Sequence, residues 1–268
     1  MESAANRMST DTRPEARAAD MAALIGRVRD FLAERAPRTR SWAPPLDPGA
    51  LSGRFGFTRR GEGKAEVILS DEVAVELGHP STSSRAMALL SWQPGLVRPG
   101  CVSLLGPDLE AMEPGVSHPF AQVVLLEVKE GRMPDPFAID SAQYLLHRLP
   151  GYMVRSVPGR LWVRVSRAGR AAGLDLQVVG SALIAAFTGD FDEVEAAEVV
   201  FVTSSRADVE ALRQVAAEAD ILAGRHKKLV LGVDGTVECR ELACDTCDEK
   251  PVCDNLRDIV IQRRNRKT

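Results

Sequence analysis

Residues 161–222 read LWVRVSRAGRAAGLDLQVVGSALIAAFTGDFDEVEAAEVVFVTSSRADVEALRQVAAEADIL, and the hydrophobic period changes three times along them. Leu161–Val165 alternates apolar side chains with Trp162 and Arg164, the period of a strand. Leu176–Thr188 is an apolar run of helical length. Val199–Thr203 returns to β-branched and aromatic residues. Ser205 then offers a helix cap, Asp208 sits in the first turn, and Val209, Leu212 and Val215 repeat on one face of a helix expected over Arg206–Leu222. Strand, helix, strand and helix in succession predict an α/β sheet domain.

Upstream, further strands are expected at Ala65–Leu69, Met87–Trp92, Cys101–Leu105 and Gln122–Val128, and a helix at Pro136–Leu149. The first four strands follow one another through short connections, so the sheet is expected to be mixed, with flanking helices. Residues 1–13 read as disordered. Between Pro14 and Ala36, Met21, Leu24, Ile25, Val28, Phe31 and Leu32 make one apolar stripe on a charged helix. Pro37–Gly53 carries four prolines and reads as a linker or covering loop. Three parts are expected: 1–49 as tail, amphipathic helix and Pro-rich linker; 50–225 as the α/β domain; and 226–268 as a small cysteine-rich unit.

That last unit opens with a hairpin, Lys228–Leu231 and Thr236–Glu238, around the turn signal Asp234-Gly235. It leads into VECRELACDTCDEKPVCDNLRDIV, where Cys239, Cys244, Cys247 and Cys253 follow the spacing C-x4-C-x2-C-x5-C. Four thiolates within fifteen residues can saturate one tetrahedral metal or one cubane cluster. The C-x4-C-x2-C run has the local spacing of plant-type ferredoxins, whereas zinc ribbons pair two C-x2-C knuckles. The spacing therefore favours an iron–sulfur cluster, with structural zinc as the alternative. Pro251 can open a final helix whose first turn contains Cys253, placing positive dipole near a bound thiolate. Hairpin, knuckle and helix bury little apolar surface, so a metal would supply the missing stability.

Composition closes off other classes. The chain has 268 residues, 45% apolar and 26% charged, with net charge −3. That balance is ordinary for a globular protein and opposes nucleic-acid binding by bulk charge. The basic run Arg263, Arg264, Arg266 and Lys267 reads as a solvated tail. No apolar stretch approaches the roughly 18 residues of a membrane span. The N-terminal residues lack an apolar signal region, which predicts a cytoplasmic, reducing compartment, where structural disulfides are rare. The fifth cysteine, Cys101, reads as a small buried hydrophobe. The four histidines are scattered, and no P-loop, dinucleotide-binding glycine motif or Ser-His-Asp signature occurs.

Several segments together resemble the acetyl-CoA synthase subunit of the CO dehydrogenase/acetyl-CoA synthase complex. They are DEVAVELGHP (Asp71–Pro80), VSLLGPD (Val102–Asp108), LEVKE (Leu126–Glu130), LWVRVSR (Leu161–Arg167), the run Ala172–Phe187 and the helix after Ser205. The resemblance covers about residues 55–225 and rests on the order and spacing of these pieces. It implies the middle domain of that synthase. Cys244 and Cys247 then fall where the family's cluster-binding cysteine region begins, which implies a [4Fe–4S] cluster. No Cys-Gly-Cys nickel element occurs in these 268 residues. Met153 stands where the synthase has a tryptophan linked to coenzyme A. Arginines of the family's middle domain are associated with CoA phosphates, which makes Arg160 and Arg164, on one face of a strand, candidate CoA contacts.

The expected function is an iron–sulfur electron-transfer or accessory protein in one-carbon, CO or corrinoid-linked metabolism, working with a protein redox or metabolic partner. A zinc-stapled partner-binding scaffold and a CoA- or acyl-handling enzyme are the alternatives. Fold does not carry activity with it, and synthase activity is not assigned.

Overall fold

A computed structural model of the chain describes residues 14–58, 67–132, 134, 138, 139, 142, 148–157, 160–222, 229–231 and 237–239. The N-terminal stretch 1–13 and most of the expected helix Pro136–Leu149 lie outside the described residues. The chain forms two compact units, Met1–Leu222 and Ala223–Thr268.

The larger unit is built on two sheets. The five-stranded sheet comprises β1 (Thr39–Trp42), β4 (Val102–Leu105), β9 (Val194–Val202), β6 (Phe120–Val128) and β3 (Ser84–Ser91), in that order. It is mixed, as expected: β4 runs parallel to β9 and β3 to β6, while the β1–β4 and β6–β9 pairs are antiparallel. Its inner strands are apolar on both faces because both faces are covered. The second sheet has β5 (Ser117–His118), β2 (Val73–Leu77), β8 (Arg160–Ser166) and β7 (Tyr152–Val157). The sequence expected a single sheet. The split places β8 against β3 and β6, so the second sheet covers one face of the first.

The long apolar run forms helix α4 (Leu176–Asp190), with α3 (Arg167–Ala171) just before it. Asp175 caps α4 by accepting from the Val178 N–H. α4 packs on β9 and β4, and α2 (Pro48–Phe55) packs on α4. One core joins these helices to Ala86, Ala88 and Leu90 of β3 and to Leu161, Val163 and Val165 of β8. Met87 and Leu89 alternate to the opposite face, where α1 (Pro14–Ala33) and α6 (Arg213–Leu222) pack on β3. The α1 stripe is buried as read: Met21, Leu24, Ile25 and Val28 are each at most 3% exposed. Burying one such side chain contributes roughly 2 kcal/mol, which holds in place a helix that would be marginal in isolation.

Three sequence expectations need correction. Residues 67–69 form no strand: Val67 and Leu69 are 67% and 58% exposed, only Ile68 is buried, and the ladder lies downstream at β2. The Pro-rich stretch taken for a linker carries β1 and α2, the latter capped by Asp47 accepting from Gly49 and Ala50. The helix after Ser205 is interrupted at Leu212, giving α5 (Arg206–Ala211) and α6; the Leu212 N–H bonds the Val209 carbonyl in a tighter turn, and Leu212 itself is buried. The Ser205 cap is present, accepting from the Asp208 N–H at 3.1 Å. Cys101 is buried at the start of β4.

In the smaller unit, β10 (Leu229–Leu231) and β11 (Val237–Cys239) pair antiparallel, with Leu229 opposite Cys239. This is the expected hairpin. Among the described residues no helix is long and apolar enough to cross a membrane.

Candidate functional site

Of the four proposed cluster ligands, Cys239 is placed as the last residue of β11. A hairpin strand gives it a defined backbone, so one thiol would be delivered by regular structure. Cys244, Cys247 and Cys253 lie outside the described residues.

The arginine-bearing strand is β8. The antiparallel register lines up Met153 of β7, Arg164 of β8 and Glu76 of β2 across three strands. Residues directly opposite share a sheet face, and Arg164 and Glu76 meet there in an ion pair, Nε to Oε1 at 3.2 Å. Arg164 also donates Nη1 to the Ile68 carbonyl at 3.3 Å, and its guanidinium lies 5.1 Å from the Trp162 ring centre. His79 meets the edge of the same indole at 5.2 Å. Its Nδ1 accepts from the Ser81 N–H at 3.1 Å. Met153 is buried, and its sulfur accepts from the Ile68 N–H at 3.3 Å. Arg164 thus already has a carboxylate, a carbonyl and a ring as partners. An anion binding there would have to compete with Glu76. Arg160 opens β8 opposite Val157, and its side chain lies outside the described part.

Other arginines from the same stretch go elsewhere. Arg148 is buried and pairs with Asp190 at 2.7 Å. Arg167 and Arg170 line a groove of about 620 Å³ with Glu110, Ala74, Leu174 and Asp175. Burial raises the Asp175 carboxyl above the usual range, against the hydrogen bond from Val178; nearby Asp108 adds to the rise. Positive and negative side chains balance along this groove.

Sequence reasoning did not find Glu76 as the partner of Arg164. It also passed over Glu198, a carboxylate in the apolar strand β9 with no solvent exposure. A charged residue inside a strand of buried apolar residues was the available signal, since such a group must find a counter-charge.

The family model for the CO dehydrogenase/acetyl-CoA synthase complex beta subunit matches residues 58–208, more than half of the chain. The chain belongs to this family. Within the matched span lie β2 to β9 and the start of α5, that is, all of the second sheet and four strands of the first. Helix α1, strand β1 and helix α2 precede the match, and the cysteine segment follows it. The acetyl-CoA decarbonylase/synthase complex subunit beta of Methanothermobacter thermautotrophicus is 28% identical over 148 residues, covering 54% of this chain and 31% of that relative. The chain therefore shares less than a third of that relative's length. The resemblance read from VELGHP, VSLLGPD and LWVRVSR is a true family relationship over the α/β domain.

Proposed function

We propose that this member of the CO dehydrogenase/acetyl-CoA synthase beta-subunit family is an iron–sulfur protein. Its role is electron transfer or an accessory function in one-carbon, CO or corrinoid-linked metabolism, beside a protein redox or metabolic partner. The observation that carries the reading is the set Cys239, Cys244, Cys247 and Cys253, four thiolates within fifteen residues, following the family domain in sequence. The donor set is all sulfur, which fits a [4Fe–4S] cluster. The family relationship to a complex subunit supports a protein partner.

The four cysteines would hold the cluster, and the cluster would supply one-electron chemistry. The chain's own contribution is electrostatic. Glu238, Glu241, Asp245, Asp248, Glu249 and Asp254 surround the thiolates in sequence. Negative charge nearby disfavours an added electron and lowers the reduction potential.

The test is iron, zinc and acid-labile sulfide analysis, with an absorbance spectrum, on protein purified without oxygen. About four iron and four sulfide per chain, lost in Cys247→Ser, is the expected result. One zinc without sulfide would sink the electron-transfer role and leave a zinc-stapled, partner-binding protein.

A further inference from the structure

Glu198 lies within β9 with no solvent exposure, yet two arginines converge on it. Arg98 donates its backbone N–H to Oε2 at 2.8 Å, and its Nε and Nη2 to Oε1 at 3.0 and 2.7 Å. Arg29 of α1 donates Nη1 to Oε1 at 2.7 Å and Nη2 to both Oε2 and the Leu96 carbonyl. One guanidinium would neutralise a buried carboxylate; two leave a surplus positive charge.

That surplus faces a groove. The Arg29 and Arg98 side chains keep 26% and 49% of their exposure. Both line a depression of about 440 Å³ together with Leu32, Ala36, Thr39 and Ser41. Among the described residues no carboxylate lines it, in contrast to the balanced groove at Asp175. The position of Arg98 is fixed by Glu198 and by buried Ser103, which accepts from Nη2 at 2.9 Å and bonds Ser41 at 2.9 Å. Nη1 of Arg98 has no partner among the described residues. A buried anion behind two cations holds the guanidinium groups in place at the groove, the preorganisation that oxyanion recognition requires.

We propose that this groove binds a small oxyanion, the carboxylate or phosphate group of a small molecule, against Arg29 and Arg98. Arg29, Thr39 and Ser41 all precede residue 58, so the site is assembled partly from chain outside the family match.

Isothermal titration of the full chain with inorganic phosphate, and separately with succinate at matched ionic strength, tests it. Binding of at least one anion is expected, weakened tenfold or more in Arg98→Ala. Arg98→Lys keeps the charge but loses the fork, and should also bind more weakly. Ala36→Glu changes an exposed residue of the groove wall, so it should fold normally and repel the anion. Binding of phosphate alone identifies a phosphate head, and binding of succinate alone a carboxylate. No binding of either anion to the unaltered chain, or binding undiminished in Arg98→Ala and in Ala36→Glu, overturns the proposal and leaves the two arginines as a clamp for α1.

Discussion

Arg35, two residues beyond α1, donates Nε to Oδ1 of Asp208 at 2.8 Å, and Asp208 lies in the first turn of α5. A residue preceding the family-matched span is thus tied to its last position. Burial opposes the Asp208 charge, but hydrogen bonds from Arg35, Ser204 and Ser205 outweigh it and hold the carboxyl at about 2.

The acid stability of the chain should reflect that carboxyl. Its folded value lies below the ordinary carboxylate value near 3.9. It therefore contributes stability that is complete above about pH 4 and is lost as pH falls toward 2. A shift of that size is worth about 2 kcal/mol. In Asp208→Asn, the unfolding free energy measured by urea should be lower near neutral pH and should vary less between pH 4 and 2. An unchanged acid profile would show that the pairing with Arg35 does not contribute.

The ion pairs of α1 should differ sharply in value. Arg29 meets a fully buried carboxylate, whereas Arg27 pairs with Glu218 at 2.5 Å, with side chains 39% and 24% exposed. Arg98 still neutralises Glu198 when Arg29 is removed, so Arg29→Ala loses hydrogen bonds to a buried charge without stranding it and is expected to cost about 2 kcal/mol. Arg27→Ala is expected to cost less than about 1 kcal/mol, because solvent screens it. Urea denaturation of both variants makes the comparison; equal losses would mean that Arg98 alone satisfies Glu198.

Gly180 lies inside α4, where alanine would improve helix propensity by roughly 1 kcal/mol. A Cβ there would meet the Val102 side chain at 2.6 and 2.8 Å and Phe201 at 3.2 Å. Both neighbours are fully buried strand residues. Overpacking typically costs 1–3 kcal/mol, so Gly180→Ala should be destabilising by about 1 kcal/mol net. A rise in melting temperature would show that the sheet yields to the methyl group.

Legibility followed locality. The runs forming α1, α4, β3, β6 and β9 were read because their hydrophobic periods are properties of consecutive residues. The strands not expected from the sequence, β1, β2, β5 and β7, are short or polar in part. They are strands because of their ladders, and for β1, β2 and β5 those partners are remote: Thr39 pairs with Leu105, Val75 with Val165 and Ser117 with Glu76, whereas β7 pairs with the next strand, β8. The first strand expected, Ala65–Leu69, had suitable residues, but residues 67–69 enter no ladder.

At the sites the division is the same. From the chain alone came four cysteines close in sequence as candidate ligands, because cysteine chemistry and spacing are local. So did arginines on one face of β8, because strand alternation is local. The tertiary structure decided what Arg164 does. Glu76, 88 residues from Arg164, pairs with it because the register sets them opposite. Arg29 and Arg98 reach Glu198 across 169 and 100 residues because burial leaves that carboxylate no water and requires a counter-charge.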